Sequence, residues 1–219
     1  MSSEVSKGYE ILSLDDLEPR ESASHGDALL MPLRHRLGLR AFGANCWTAP
    51  AGKQIVPTHE EESGDEELYV VVRGRATFTL DGAPLDAPAG TLVHALPGET
   101  REAVAEEAGT LVLAVGATPG EAFESRGWDE VVVAFAAARA GDVGGGRALM
   151  EELAARVPAR WEGAYNLACF EALFGNHERA FTELQKALAF GHSEVLAFAL
   201  GDSDLQSLHD DPRWQELLE

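Results

Sequence analysis

Between residues 59 and 101 the chain sets two imidazoles, a run of carboxylates and, at the far end, the guanidinium of Arg101 among short apolar segments. His59 heads residues 60–67, the densest acidic stretch of the sequence, and His94 and Arg101 follow. Imidazole and carboxylate together suit Fe, Mn, Ni or Zn. A carboxylate whose pKa is raised by burial can also move protons with an imidazole, which makes Glu67 and His94 the catalytic candidates. A fixed guanidinium repels a metal and suits an anion.

These residue types leave three readings open. In the first, His59 caps a surface loop, residues 60–67 are a solvated acidic run, and His94 is a hydrogen-bonded core residue. In the second, Glu67, Tyr69, His94 and Arg101 are polar anchors in an apolar, metal-free pocket. In the third, His59, Glu67 and His94 hold a metal, joined by Asp65 or a neighbouring glutamate. The chain offers no other catalytic motif. Gly144-Gly145-Gly146 lacks the Lys-Ser/Thr of a phosphate loop, and no serine sits in a Gly-x-Ser-x-Gly elbow.

Two kinds of element must position these groups. Residues 41–116 read as strands: Leu68-Tyr69-Val70-Val71-Val72 ends at Arg73-Gly74, and Ala76-Thr77-Phe78-Thr79-Leu80 alternates with period two before the turn signal Asp81-Gly82. Residues 91–96 stop at Pro97-Gly98 and residues 110–115 stop at Gly116. On the segment 91–96, His94 shares a face with Leu92 and Leu96, so it is expected to point into the barrel. Phe42 and Trp47 flank Cys46 with strand spacing and read as core. From Trp128 the apolar period becomes three to four, and helices are expected over 128–140, 144–157, 161–174, 177–190 and 211–218. Gly141-Asp142, Pro158, Gly175-Asn176 and Gly191 break them.

The chain has 219 residues, 17 Lys+Arg, 37 Asp+Glu and a net charge of −20. Residues 1–120 hold 9 basic against 19 acidic side chains and residues 121–219 hold 8 against 18, so the acidity is spread evenly. That charge argues against polyanionic partners, both nucleic acid and anionic membrane, and no apolar run reaches the roughly 20 residues of a membrane span. The basic cluster at Arg34, His35, Arg36 and Arg40 is expected to offset nearby carboxylates. The first residues lack the order of a secretory signal. Cys46 and Cys169, each in apolar sequence, read as buried free thiols of a cytoplasmic protein.

The strand half resembles a cupin. Glu67 is followed by six residues and Gly74, as at the end of the first cupin motif, and Pro88-x-Gly90 with Pro97-Gly98 follows the frame of the second. The resemblance implies a small antiparallel jelly-roll barrel, often dimeric. It also implies a metal held by two histidines and a glutamate of the first motif and a histidine of the second. Those positions fall on Glu61, Ser63, Glu67 and Arg101, so Glu67 alone matches, with His59 as a displaced ligand.

The helical half resembles tetratricopeptide repeats. Ala164, Leu167, Ala168, Gly175, Ala180 and Ala187 occupy small or apolar positions of the 34-residue pattern. Glu171 stands where an aromatic is usual and Gly146 where alanine is. Asp202 onward resembles the segment that closes such a group, with Asp211 capping a helix begun at Pro212.

The expected fold is therefore multidomain β + α, a jelly-roll barrel followed by an all-α array of helical hairpins. Residues 1–40 form an extension packed on the barrel, 41–118 the barrel, 119–127 a linker and 128–219 the helical domain. The expected function is a small-molecule-binding module with a helical platform for a protein partner, its metal site degenerate, in a homodimer. The alternative is an atypical metal-dependent oxygenase, isomerase or cyclase acting on a small metabolite.

Overall fold

The computed structural model describes residues 10–21, 26–61, 64–125, 127–156 and 160–217. Residues 1–9, Ser63 and the Pro158 turn lie outside these. The chain divides into two units, residues 1–129 and 130–219.

Among the described residues the first unit holds ten antiparallel strands: β1 (Arg20–Glu21), β2 (Leu29–Met31), β3 (Gly43–Thr48), β4 (Gln54–His59), β5 (Glu66–Arg73), β6 (Arg75–Leu80), β7 (Ala83–Pro88), β8 (Leu92–Ala95), β9 (Arg101–Ala105) and β10 (Leu111–Ala117). One sheet runs β1-β2-β3-β10-β5-β8 and the other β4-β9-β6-β7. With β1 and β2 set aside, the eight remaining strands form two four-stranded sheets, β3-β10-β5-β8 and β4-β9-β6-β7, in jelly-roll order. β1 and β2 extend the first sheet beyond β3, so part of the segment 1–40 belongs to the sheet itself. Between them and β3 lies the short helix α1 (Leu33–Leu37), closed by Gly38 in the left-handed conformation.

Local chemistry explains the hairpins. Asp81 and Gly82 have φ values of 46° and 79°, the left-handed pair of a type I′ turn, whose twist matches that of the strands it joins. Leu80 accordingly faces Ala83 across the ladder. Gly74 has a φ of +72°, and a Cβ added there would lie 2.5 Å from Thr110 Oγ1 and 2.8 Å from Thr110 Cα. Thr110 is fully buried, and its hydroxyl donates to the carbonyls of Glu107 or Arg75. The glycine that ends the first motif is thus required both by conformation and by space. Gly74→Ala is expected to cost about 2–4 kcal/mol, combining the left-handed penalty with a clash against backbone. Urea unfolding against the wild type measures it.

Strand alternation decides what faces inward. Asn45, Ala114, Tyr69 and Val93 lie opposite one another in successive strands, as do Gly43, Gly116, Glu67 and Ala95 in the next row. From the facing sheet, Phe78, Ala103 and Ala105 are fully buried, and Phe78 packs on Tyr69 with ring centroids 5.5 Å apart. Cys46 faces the other way and packs with Met31, Leu111 and the apolar residues of the N-terminal segment. Burial holds its thiol at a pKa of about 11, so it is neutral and unreactive near neutrality. Phe42 lies outside β3 and is partly exposed, which corrects its reading as core.

The second unit holds α3 (Val143–Arg156), α4 (Trp161–Leu173), α5 (His177–Phe190), α6 (His192–Ala199), α7 (Pro212–Leu217) and most of α2 (Trp128–Arg139), whose first turn contains the boundary. α6 and the 3-10 turn at Ser203–Leu208 were not expected from the sequence. Phe135, Phe170, Phe181 and Leu184 lie in one apolar core. The residue types at Gly146 and Glu171 have local causes. A Cβ at Gly146 would stand 2.5 Å from the Ala134 carbonyl and 3.1 Å from the Phe170 ring, so alanine does not fit. Glu171 is fully buried and receives Arg147 through two hydrogen bonds of 2.7 and 2.9 Å, with Arg179 at 3.4 Å. Asp211 accepts from the Arg213 amide at 3.0 Å and caps α7, as expected. Cys169 is buried and its pKa is raised by desolvation.

Candidate functional site

Glu67 is the point on which the interior groups of the barrel converge. It enters from β5 beside Gly116, where an added Cβ would come within 3.1 Å of Glu67 Cγ. Glycine on β10 therefore makes room for the carboxylate. From the opposite sheet Arg101 donates to Glu67 Oε2 through Nε at 3.0 Å and Nη2 at 2.8 Å, and its Nη1 donates to the Glu99 carbonyl at 2.7 Å. The Tyr69 hydroxyl donates to the same oxygen at 2.5 Å. His59, opposite Arg101 in the β4–β9 ladder, brings Nε2 to 3.4 Å from Oε2 while its Nδ1 lies 2.7 Å from the Pro57 carbonyl. A carbonyl only accepts, so Nδ1 carries a proton, and Nε2 donates to Glu67 only in the imidazolium form.

The electrostatics follow from these contacts. Burial disfavours charge on Glu67, but the hydrogen bonds from His59 and Tyr69 and the Arg101 charge outweigh it and lower its pKa. Burial likewise disfavours the imidazolium of His59, yet Glu67 and the Pro57 carbonyl prevail and raise its pKa. Tyr69 is pushed far upward, first by burial and then by Glu67, and stays a phenol. At neutral pH Glu67 is thus a carboxylate clamped by a permanent cation, and not a general acid.

The two shifts set a pH window. Glu67, lowered from 4.5, contributes stability above that value and loses it as pH falls through its folded pKa. His59, raised from 6.5, contributes below that value and loses it as pH rises through its folded pKa. The wild type is therefore expected to exceed His59→Gln most between those two values. The gap should narrow toward alkaline pH and again in strong acid. Urea midpoints of both proteins across a pH series give the comparison, and a gap that widens above neutrality would contradict it.

Beside this cluster lies a cavity of about 490 Å³ within the first unit, inside the usual range of ~300–1,000 Å³ for small-molecule sites. Its walls come from β3, β4, β5 and β10, from the loop that follows β4, and from residues 123–125 and 128–129. Glu67, Tyr69 and His59 are on the wall. Two other sequence candidates are not. Arg101 is fully buried behind Glu67 and is absent from the lining, so it orients the carboxylate instead of meeting a ligand. His94 lies opposite Leu68 on β5, one residue out of phase with Glu67 and Tyr69, so it projects outward. It is exposed there with Leu92 and Leu96 and pairs with Glu66 at 3.3 Å, while Val93 and Ala95 take the interior. The structure therefore does not bring His94 to Glu67. Asp65 is on the wall and accepts a hydrogen bond from Thr118.

Sequence reading missed Asn45, Glu61, Phe123 and Glu124 as wall residues. Glu61 carried a signal, since it stands at the first histidine position of the motif. The segment 119–127, read as a linker, supplies part of the wall.

The resemblance to cupins implies a metal at these residues. His59, Glu61 and Glu67 bring ligand atoms within 4.8 Å of one another. However, Arg101 stands where the resemblance implies the second-motif histidine, and its guanidinium already sits 2.8 Å from Glu67 Oε2. A divalent ion bonded to that oxygen at about 2.0–2.2 Å would stand beside a buried permanent cation, having displaced two or more donors. Oε2 of Glu67 is therefore closed to a metal that would bridge it to His59.

No family model matches the sequence, and no curated protein matches it. Among solved structures the chain is similar to KdgF from Halomonas sp., at 19% identity, TM-score 0.42, covering 49% of this chain and 93% of that one. It is similar to a cupin protein from Bacteroides fragilis, at 19% identity, TM-score 0.41, covering 55% and 92%. It is also similar to a sugar phosphate isomerase from a cupin superfamily, from Silicibacter pomeroyi, at 21% identity, TM-score 0.43, covering 50% and 77%.

Proposed function

We propose that the first unit is a cupin-type module that binds a small organic molecule without a resident metal. The observation that carries this reading is the cavity of about 490 Å³ with Glu67 fixed at its wall by Arg101. The strand order and the motif spacing around Glu67 and Gly74 support the cupin assignment. Tyr69, Glu67 and His59 are the ligand-facing groups, and Arg101 is a positioning residue. Equilibrium dialysis of the full chain against a mixture of small metabolites tests the reading: at least one compound should be enriched, and Ala114→Phe, which fills the wall beside Asn45, should abolish the enrichment. No enrichment with the wild type would contradict it.

The second reading is a metal-dependent enzyme, favoured by the closeness of His59, Glu61 and Glu67; metal analysis decides between the two. The helical unit is proposed to be a tetratricopeptide-like platform for a protein partner, a reading that rests on the 34-residue spacing of Gly141 and Gly175. A homodimer through the outer face of β5 and β8 is supported by the exposed Leu68, Leu92 and Leu96, and sedimentation equilibrium checks it. Among the described residues no helix is long and apolar enough to cross a membrane.

A further inference from the structure

Resting on the reading of the barrel as a small-molecule module, we infer that the cavity takes a ring compound with O–H or N–H donors on two edges, one given to Glu67 Oε1 and the other to the Asn45 carboxamide. Two acceptors and the floor between them lead there.

The first acceptor is the second oxygen of Glu67. The contacts to its carboxylate all fall on Oε2: Arg101 Nε at 3.0 Å and Nη2 at 2.8 Å, the Tyr69 hydroxyl at 2.5 Å and His59 Nε2 at 3.4 Å. Oε1 receives no donor among the described residues. The side chain is 16% exposed and lies on the cavity wall. Both oxygens of a carboxylate accept hydrogen bonds. The clamp that closes Oε2 therefore leaves Oε1, held at a fixed orientation, as the acceptor for a ligand.

The second acceptor is on β3. Asn45 is 5% exposed and lies on the same wall, and its carboxamide oxygen is buried with no hydrogen-bond partner among the described residues. Its neighbours in the interior row are Ala114, which has no polar side-chain atom, and beyond it Tyr69, whose hydroxyl is given to Glu67. A buried acceptor without a donor is costly, and a donor from a ligand relieves that cost.

The floor sets the shape. β10 runs between β3 and β5, and the register puts Asn45 and Glu67 at diagonal corners of a patch whose middle is Ala114 and Gly116. Adjacent strands lie ~4.8 Å apart, so the backbones of β3 and β5 are about 10 Å apart. Side chains leaning in from both sides narrow that span to one that a single ring compound bridges, with nothing bulky beneath it. Trp47, Phe123 and Trp128 line the same space, Trp47 and Trp128 stacked with centroids 5.6 Å apart, and offer their faces to the ring.

The test uses the full-length, chelator-treated protein and three uncharged probes with one frame: 1,4-benzenedimethanol, its monomethyl ether and its dimethyl ether, which carry two, one and no donors. Ligand-observed NMR titrations at neutral pH should show affinity falling about tenfold with each donor that is methylated. In Asn45→Leu the diol should bind no more than about threefold tighter than the monoether, because one of the two acceptors is gone. The urea midpoint of Asn45→Leu should equal or exceed that of the wild type, since an apolar side chain of similar size replaces an acceptor with no partner. The dimethyl ether binding as tightly as the diol would overturn the donor requirement while leaving the cavity a binding site. An unchanged preference in Asn45→Leu, or a clear drop in its urea midpoint, would overturn the role of Asn45. Binding of none of the three would overturn both the inference and the small-molecule reading beneath it.

Discussion

Arg101→Met is expected to destabilise the barrel by about 3 kcal/mol, at the lower end of the ~3–5 kcal/mol for breaking a buried ion pair. Arg101 has no exposed surface, and two of its nitrogens reach a single oxygen of Glu67. Its loss would leave a carboxylate that is only 16% exposed with His59 as its remaining cationic neighbour. That residual partner and the access of the cavity to water place the estimate at the low end. The same change should raise the pKa of Glu67, since the Arg101 charge is one of the causes that lower it. Glu67→Met combined with Arg101→Met should recover most of the loss, because replacing both partners by apolar groups of similar size removes the stranded charge. A double-mutant cycle in urea reads the coupling. Additive losses in the cycle would mean that the two side chains do not act as a pair.

A comparison within α1 gives the second large effect. Arg34→Met should cost about 3–5 kcal/mol, whereas Arg36→Met should cost less than about 1 kcal/mol. Both arginines sit on the same short helix and both meet a carboxylate at ion-pair distance, Arg34 with Asp129 at 2.7 Å and Arg36 with Glu10 at 2.5 Å. Distance alone would rank the second pair higher. Burial reverses the order: the Arg34 and Asp129 side chains are 11% and 2% exposed, those of Arg36 and Glu10 50% and 48%. Water screens the exposed pair and solvates either partner left alone, while Asp129 without Arg34 is stranded. Urea unfolding of the two variants checks the ranking, and equal losses would contradict it. Arg34 and Arg36 of the basic cluster are thus answered by carboxylates of the first unit.

What the sequence makes legible follows from how local each signal is. Asp81-Gly82 and Gly74 could be read because the turn geometry requires those residues whatever surrounds them. β4 and β7 could not. Pro57, Pro84 and Pro88 interrupt any strand pattern, and β7 exposes all but Ala87. It lies at the sheet edge, where a missing amide is tolerated. His94 shows a different limit: the period of two was correct, but a period does not say which face is inside. Leu92 and Leu96 argued for the wrong face because they are apolar and yet exposed. At the site, Glu67 and His59 stood out by type and spacing. Asn45 and Glu124 are ordinary in sequence and gain their meaning from being brought to one cavity by β3 and by the segment before α2.

Arg101 stands where the resemblance to cupins implies a metal-ligating histidine, and the first unit is proposed to hold no metal. Elemental analysis of the full-length protein, purified without a chelating tag, tests this most directly. The expected result is far less than one equivalent of Fe, Mn, Ni or Zn per chain, unchanged in His59→Ala and Glu67→Ala. Close to one equivalent, lost with either substitution, would contradict it and make the barrel a metal centre.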